Sequence, residues 1–238
     1  SFFGDILDLS SFVNEVRKAN PKCLIIQVTT DPTCLGIVKT PGEYDVDIFV
    51  AEGQSFGIPP SFGGPGLGIF TTKERYLRKI PGRLVGKTSE LNGNDMGCIL
   101  TLQTREQHIR REKAISNICT NQALCMLSAL IYLLCMGKYG LREVATQNIQ
   151  KAHYLKTELT KIKDYEVMNK NPTYNEFTMK VPNIDTLITQ CKEANFLPPL
   201  KLSTYFPELE DQILICITEL NSKKDINKFI EIAKQTSN

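Results

Sequence analysis

The sequence CLIIQV at residues 23–28 decides the fold class of this chain. A short, nearly continuous apolar run of this kind is typical of a strand buried on both faces of a parallel sheet. The sequence VDIFV at residues 46–50 has the same character, and a helical pattern over residues 10–19 precedes both. Asp31 follows the first run and Gln54 the second. The pattern predicts an α/β domain with a mostly parallel sheet, whose ligand site lies beyond the carboxyl ends of the strands.

The rest of the chain continues this domain and then changes character. A third strand is predicted at residues 67–72, and the apolar stretch 123–136 predicts a buried helix. A long amphipathic helix at residues 141–161 then leads into a small α+β region. In that region we predict strands at 165–168, 175–181 and 212–218, and helices at 184–194 and from Ser222 onward. The predicted domain boundary therefore lies between residues 140 and 141.

The composition excludes several classes of function. Of the 238 residues, 42% are hydrophobic and 23% are charged, as in an ordinary globular protein. The net charge of +2 creates no strong field toward nucleic acid or an anionic membrane. No apolar run reaches the roughly 18 residues of a membrane span, and no secretory signal is visible, so we expect a cytoplasmic protein. The 8 cysteines include no C-x-x-C pair, which argues against zinc and favours reduced thiols.

Asp31 and Gln54 give the sharpest indication of chemistry. In one large class of pyridoxal-phosphate enzymes, an aspartate at a strand end binds the pyridinium nitrogen and so maintains the ring as an electron sink. A lysine after a later strand holds the cofactor as a Schiff base. Asp31 suits the first position, but Gln54 stands at the second, and an amide forms no Schiff base. From spacing alone, the favoured interpretation is plainer: Asp31 begins a turn and Gln54 is a loop residue.

The glycine-rich sequence SFGGPGLG at residues 61–68 is a second candidate site. Its backbone amides have the character of an anion cradle. No helix pattern follows it, and it is neither a Walker motif nor a dinucleotide fingerprint. A structural turn before a strand is therefore the favoured interpretation.

Residues 102–124, LQTREQHIRREKAISNICTNQAL, form a dense polar run that leads into the apolar helix. Such a mixture suits a site in which many polar groups are hydrogen-bonded away from water. Residues 105–113 carry a net charge of +2, which indicates either a carboxylate or interface site or a salt-bridged surface turn. His108 in this run is a better functional candidate than His153 on the amphipathic helix. Neither has the neighbours of a catalytic triad or a metal site.

Several short motifs are distributed along the chain: PGEY (41–44), EGQS (52–55), SFGGP (61–65), PGRLVG (81–86), the run at 102–124, NEF (175–177) and TEL (218–220). Together they resemble one family, the glycine-cleaving P-protein in the form that is split into two subunits. The resemblance is to subunit 1, covers most of the chain and is strongest over residues 40–124. The family has an aspartate-aminotransferase-like pyridoxal-phosphate fold. The resemblance therefore implies the C-terminal part of such an α/β fold, with residues 1–140 in the large cofactor-type domain and residues 141–238 as a linking helix and small α+β domain.

The resemblance also implies a role inside a larger enzyme. In this family subunit 1 pairs with subunit 2, two pairs form a heterotetramer, and subunit 2 carries the lysine and the pyridoxal phosphate. Glycine loses its carboxylate as carbon dioxide, and the aminomethyl group passes to the lipoyl arm of H-protein. Subunit 1 completes the site of subunit 2, with Asp31 and Gln54 as degenerate cofactor positions and no metal. The residues expected to contribute to the active site or interface are Arg105, His108, Arg110, Asn117 and Thr120.

The chain departs from the family pattern in places. Ile115 stands where the family usually has threonine, and Gly66 where it usually has a bulky residue, often tyrosine. Family members carry a long upstream part, so we expect this chain to be a C-terminal portion that is inactive alone. Two alternatives stay open. In the first, the subunit is a pure scaffold. In the second, the chain is a self-sufficient pyridoxal enzyme that uses Lys73 or Lys87. The lack of a lysine directly after the second strand argues against the second alternative.

Overall fold

The computed structural model describes residues 1–91, 93, 95–114, 118 and 121–237, and the chain divides into two compact units. The C-terminal unit consists of Ser1–Ala19, Thr33–Thr40 and Leu133–Asn238, and it includes the first helix, α1 (Leu9–Ala19). The central unit consists of Asn20–Pro32 and Pro41–Tyr132. The assignment of residues 1–140 and 141–238 to two domains stays a prediction.

A three-stranded mixed sheet forms the frame of the central unit. Its strands are β1 (Ile26–Thr29), β2 (Ile48–Glu52) and β3 (Gly68–Thr72), in that order. β1 runs parallel to β2, whereas β3 runs antiparallel to β2. The three predicted strands are therefore present. The expected burial of the first strand on both faces is wrong for the described chain: Ile26 and Val28 are 56% and 70% exposed, because nothing in the described residues covers their face.

The polar run follows a hairpin in the central unit. The hairpin pairs β4 (Leu84–Ser89) with β5 (Met96–Thr101) in antiparallel register. One turn of 3-10 helix at Gln103–Arg105 and the short helix α2 (Gln107–Arg110) then carry the first part of the run. These tight turns hold several polar side chains on one short segment.

The longest helix, α3 (Ala123–Leu159), is interrupted at Gly137, whose backbone has φ of 57° and ψ of −171°. The expected burial of residues 123–136 is wrong for the described chain, since Ala129 is the only buried residue among them. By length and composition alone, α3 is long and apolar enough to cross a membrane. The segment before Gly137 spans only about 21 Å at 1.5 Å per residue, however, and a hydrocarbon core is about 30 Å thick.

The C-terminal unit contains a four-stranded antiparallel sheet with helices packed on it. The strand order is β6 (Glu166–Val167), β7 (Glu176–Lys180), β9 (Gln212–Cys216) and β8 (Leu200–Lys201). The helices are α4 (Ile184–Glu193) and α5 (Lys223–Thr236); Ser222 Oγ caps α5 by accepting the N–H of Asp225 at 3.1 Å. Side chains from the sheet, both helices and the end of α3 form a closed core that includes Leu155, Leu159, Phe177, Met179, Leu187, Ile213 and Ile230. The strands and helices predicted for this region are therefore found.

Candidate functional site

The carboxyl ends of β1 and β2 form the edge of the sheet at which a ligand is expected. Thr29 at the end of β1 lies opposite Ala51 near the end of β2. Asp31 and Gln54 follow these two strands, so both lie at the same edge, and each is partly buried. Parallel strand ends are where α/β sheets bind their ligands. The fold thus brings together two candidate residues that are 23 positions apart in the sequence.

Glu52 holds the loop that carries Gln54. Its Oε1 atom accepts hydrogen bonds from the backbone N–H groups of Gln54 and Leu67, both at 3.0 Å. The N–H of Gly53 donates to the Leu67 carbonyl at 2.6 Å, and a Cβ at Gly53 would lie only 3.0 Å from that oxygen. At Gly66 a Cβ would lie 3.3 Å from the Glu52 carboxylate. Glu52 is absent from the candidates that the sequence suggested, although the EGQS motif contains it, and it fixes the backbone around Gln54.

An ionic cluster fixes the opposite end of the same sheet. Asp47 is fully buried, and its carboxylate accepts the N–H of Ile25 at 3.0 Å and a hydrogen bond from Arg75. That hydrogen bond raises the pKa of Arg75 above its ordinary value. Lys73 Nζ lies 3.3 Å from Asp47 and donates to Asp45 at 2.5 Å. Sequence reasoning missed Asp47, and the available signal was a charged residue inside the apolar pattern VDIFV.

The two lysines considered as alternatives lie away from the carboxyl edge. Lys73 follows β3, and Thr72 at the end of β3 lies opposite Ile48 at the start of β2. Since β2 continues from Ile48 to Glu52, its two ends are about 14 Å apart at 3.4 Å per residue. Lys87 is an exposed residue of the separate β4–β5 hairpin. Neither lysine therefore takes the place of Gln54 in the described fold.

The glycine-rich loop is a tight turn. Four consecutive residues, Ser61 to Gly64, have positive φ values of 45°, 57°, 115° and 131°. The N–H groups of Gly63 and Gly64 donate to the carbonyl of Pro60 at 2.9 and 3.0 Å. These amides are therefore used inside the turn, which supports the turn interpretation over an anion cradle. Phe62 at the tip of the loop is fully exposed.

Arg105 is buried and holds a neighbouring turn. Its Nη1 atom donates to the carbonyl of Ile80, and its Nη2 atom donates to the carbonyl of Gly82 at 2.6 Å. Its Nε atom lies 3.6 Å from the carboxylate of Glu106, which is also buried, and has no hydrogen-bond partner within the described residues. The guanidinium thus joins the start of the polar run to the PGRLVG motif. No carboxylate from outside the chain is needed to explain its burial.

Two further candidates from the polar run, His108 and Arg110, lie at the surface. His108 is exposed and lines a cavity of about 10 Å³ with Arg83, Gln103 and Glu106, which has room for roughly one water molecule. Arg110 is exposed, and its Nε atom donates to the carbonyl of Thr104 at 3.1 Å. The predicted contributions of Asn117 and Thr120, and the departure at Ile115, lie outside the described residues.

The backbone is strained at both ends of residues 102–111. Leu102 has φ of 53° and Arg111 has φ of 50°, and neither residue is glycine. Positive φ at such residues costs on the order of 1–3 kcal/mol and is concentrated at functional sites. Among the described residues no group of three or more His, Cys, Asp or Glu side chains is arranged to hold a metal ion. The candidate site is thus a carboxyl-edge pair, Asp31 and Gln54, together with a strained polar segment at 102–111.

Solved structures define the class to which this arrangement belongs. The NifS-like protein of Rickettsia africae matches 98% of this chain and 58% of its own, with a TM-score of 0.67 at 15% identity. The cysteine desulfurase CsdA of Escherichia coli matches 98% of this chain and 56% of its own, with a TM-score of 0.67 at 11% identity. At such identities the likeness shows the fold alone. It is the aspartate-aminotransferase-like fold of pyridoxal-phosphate enzymes, and the predicted α/β fold class is confirmed.

Closer matches identify the family. A crystal structure of glycine decarboxylase (P-protein) in inhibitor-bound form matches 99% of this chain and 53% of its own, with a TM-score of 0.88 at 37% identity. Proteins described as probable glycine dehydrogenase (decarboxylating) subunit 1 are 47% identical over 238 residues in Chloroherpeton thalassium and 44% identical over 227 residues in Desulforamulus reducens. These alignments cover 99% and 95% of this chain. The family description "glycine cleavage system P-protein" matches residues 1–233, and the chain belongs to this family. It spans about half the length of these relatives, 52% and 50%.

Proposed function

We propose that this chain acts as subunit 1 of a two-subunit glycine dehydrogenase (decarboxylating). The observation that carries the proposal is the similarity, over nearly the whole chain, to relatives described as that subunit. In the proposed reaction glycine loses its carboxylate as carbon dioxide, and the remaining aminomethyl group passes to the lipoyl arm of H-protein. The proposed partners are therefore subunit 2, glycine and lipoylated H-protein, and the proposed location is the cytoplasm.

The pyridoxal phosphate of this reaction is held by subunit 2 in the proposed heterotetramer. The residues of this chain fit the cofactor only in part. Asp31 supplies a carboxylate suited to a pyridinium nitrogen, whereas the amide of Gln54 forms no Schiff base. When bound, the cofactor supplies the electron sink for loss of the carboxylate. This chain alone is therefore inactive, and its part is to complete the site of its partner.

Absorbance spectroscopy tests directly whether a lysine of this chain binds the cofactor. Mixed with pyridoxal phosphate, the isolated chain is expected to show no borohydride-reducible band of a cofactor–lysine adduct. Gln54→Lys is the informative variant, because it restores an amine at the carboxyl edge beside Asp31. A reducible band in the unmodified chain that disappears on replacement of Lys73 or Lys87 would contradict the proposal and favour a self-sufficient enzyme.

The polar run is proposed to lie at the shared site. Arg105 acts as a positioning residue there, because it holds the turn at residues 80–82 against the strained segment. His108 and Arg110 are exposed donors next to it, suited to the carboxylate of glycine, the lipoyl arm or the partner subunit. Asn117 and Thr120 are proposed to act with them. Preorganised donors of this kind stabilise charge that develops in a transition state.

Glycine–bicarbonate carbon exchange, measured with subunit 2 and H-protein present, tests these roles. His108→Ala is expected to reduce exchange about tenfold or more, since roughly 1.4 kcal/mol of lost transition-state stabilisation is already tenfold. His153→Ala is the matched control and is expected to exchange normally. Arg105→Ala is expected to reduce the exchange rate by at least the same factor. Arg105→Lys is expected to retain only part of the exchange rate, because one ammonium group does not bind two carbonyls in the geometry of a guanidinium.

The scaffold alternative predicts a different outcome of the same assay. One observation favours it: both Nη atoms of Arg105 bind carbonyls of this chain. If the subunit is only a scaffold, variants that still assemble with subunit 2 retain full exchange. Unchanged exchange in His108→Ala and Arg105→Ala, with assembly intact by size-exclusion chromatography, would leave the scaffold function standing.

A further inference from the structure

The C-terminal unit contains a cavity of about 330 Å³ beside the part of α3 that follows Gly137. Residues 149, 153 and 156 recur at intervals of four and three, which places them on one side of the helix. The volume lies within the range of small-molecule sites, about 300–1,000 Å³. The lining residues all belong to the C-terminal unit and are Ile149, Gln150, His153, Lys156, Pro172 and Thr173.

The wall formed by Pro172 and Thr173 is fixed by the N-terminal segment of the chain. The carbonyl of Pro172 accepts the N–H of Ile6 at 2.8 Å, and Thr173 pairs with Asp5 in an antiparallel bridge. The side of the cavity formed by α3 is a regular helix. Both walls are therefore ordered before a ligand arrives, which lowers the entropic cost of binding.

Lys156 gives the cavity its chemical character. Its Nζ atom donates to Thr173 Oγ1 at 2.9 Å, which uses one of the three donors of the ammonium group. The side chain is partly buried, and no carboxylate among the described residues forms an ion pair with it. Burial lowers the pKa of Lys156 below its ordinary value. Because buried charges are normally paired, this ammonium is suited to an anion from outside the described chain.

Thr173 supplies a second donor beside the ammonium. Its side chain accepts the hydrogen bond from Lys156, so the hydrogen of its own hydroxyl is available to another acceptor. Thr173 is buried, and its hydroxyl donates to no acceptor among the described residues. One ammonium and one hydroxyl on the same wall match the two oxygens of a carboxylate.

We propose that this cavity binds a small organic monocarboxylate, held by Lys156 Nζ and the hydroxyl of Thr173. Ile149 and Pro172 provide apolar surface for the carbon chain of such a ligand. A single ammonium balances one negative charge, whereas inorganic phosphate carries more than one above neutral pH. His153 lines the same cavity, but its side chain is exposed and is assigned no contact with the anion. Binding needs neither pyridoxal phosphate nor subunit 2.

Titration of the full 238-residue chain with butyrate tests the proposal. Calorimetry and amide chemical shifts are measured at constant ionic strength, with acetate, inorganic phosphate and chloride as the other probes. We expect saturable 1:1 binding of butyrate, with the largest shifts at residues 149–156 and 172–173. Acetate is expected to bind about tenfold more weakly, because it lacks two methylene groups that the apolar wall would cover.

Variants of the two walls separate the charge from the apolar contact. Lys156→Met keeps the length of the side chain but removes its charge, and is expected to weaken butyrate binding about tenfold or more. Lys156→Arg keeps the charge and is expected to retain binding. Ile149→Ala is expected to weaken butyrate severalfold and to leave acetate unchanged. Lys163→Met, which changes an exposed lysine of the same unit, is the control and is expected to bind normally.

The remaining outcomes overturn the proposal. Absence of saturable butyrate binding removes the site, and butyrate binding that Lys156→Met does not weaken places the ligand elsewhere on the chain. Phosphate or chloride binding as tight as that of butyrate would make the cavity a general anion site. Circular dichroism and the unfolding temperature of each variant establish that it folds. If Lys156→Met does not fold, loss of binding in the folded Ile149→Ala for acetate as well as butyrate contradicts the assigned roles.

Discussion

The two units of this chain bury their apolar residues to very different extents. In the C-terminal unit Phe177, Met179 and Leu187 are completely inaccessible to solvent. In the central unit Val28 and Leu124 are mostly exposed, although both belong to regular elements. The C-terminal unit therefore has a closed core, whereas apolar side chains of the central unit remain exposed in the described chain. The candidate site lies in the second, which agrees with the proposed dependence of the site on a partner.

The largest expected effect comes from shortening a buried side chain of the C-terminal unit, compared with shortening an exposed side chain of the central unit. Phe177→Ala is expected to destabilise the C-terminal unit by about 3–5 kcal/mol, because it leaves a cavity among fully buried side chains. Leu127→Ala in the isolated chain is expected to change the free energy of unfolding by no more than about 0.5 kcal/mol, since its surroundings are open. Urea unfolding followed by hydrogen exchange in each unit gives both values. Similar losses in the two variants would mean that the central unit is closed in solution.

A second test examines what holds the central sheet together in place of a closed core. Asp47→Asn removes the buried carboxylate that binds the N–H of Ile25 and the side chains of Arg75 and Lys73. We expect a loss of about 2–3 kcal/mol, less than for a fully buried ion pair because Arg75 is half exposed. Hydrogen exchange of the backbone amides in β1 and β2 measures this loss of stability.

Asp45→Asn is the control for Asp47. Asp45 also pairs with Lys73, but its side chain is largely exposed, so we expect a loss under about 1 kcal/mol. The position has φ of 57°, which asparagine tolerates as well as aspartate does. If the two variants are equally stable, the buried cluster is not what fixes the sheet.

Sequence patterns predicted the elements of both units because their signals are local. The apolar runs around residues 23–28 and 46–50 and the capping pattern at Ser222 each lie within a few residues, and the corresponding strands and helix are present. The burial of residues 123–136 could not be predicted in the same way. Apolar periodicity indicates that one face of a helix is suited to packing. It does not show whether any part of the chain packs against that face.

The long-range side-chain contacts of the central unit could not be predicted from the sequence. The pairing of Arg75 with Asp47 and of Arg105 with Ile80 joins residues more than twenty positions apart, and no spacing rule links them. Arg105 was a candidate because of its charge and its place in a polar run. Those features do not show whether its guanidinium binds an anion or, as in this structure, backbone carbonyls. The placement of Asp31 and Gln54 at the same edge of the sheet was predictable, because parallel strands bring their carboxyl ends to one edge.

The smallest expected effect concerns the pH dependence of the closed unit. Tyr165 is buried, and its hydroxyl lies 3.1 Å from Thr236 Oγ1 and 3.3 Å from the carbonyl of Ala233. Burial raises the pKa of Tyr165 above its ordinary value of 10.0, although the hydrogen bond with Thr236 acts in the opposite direction. Below pH 10 the phenol is neutral in both the folded and the unfolded chain. Above that pH the unfolded chain ionises first, so the free energy of unfolding falls until the pH passes the folded pKa.

Tyr165→Phe is therefore expected to flatten the alkaline fall while costing about 1 kcal/mol at neutral pH through the lost hydrogen bonds. Lys156 opposes the trend, because burial lowers its pKa and the free energy of unfolding then rises as the pH approaches 10.5. Lys156 is present in both proteins, so the difference between Tyr165→Phe and the unchanged chain isolates the phenol. Unfolding of the C-terminal unit between pH 8 and 11 measures that difference, with the exposed Tyr205→Phe as control. If the free energy of unfolding of Tyr165→Phe still falls between pH 10 and 11 as in the unchanged chain, the titrating group is not Tyr165. Burial in the closed core would then not explain the pH dependence of this unit.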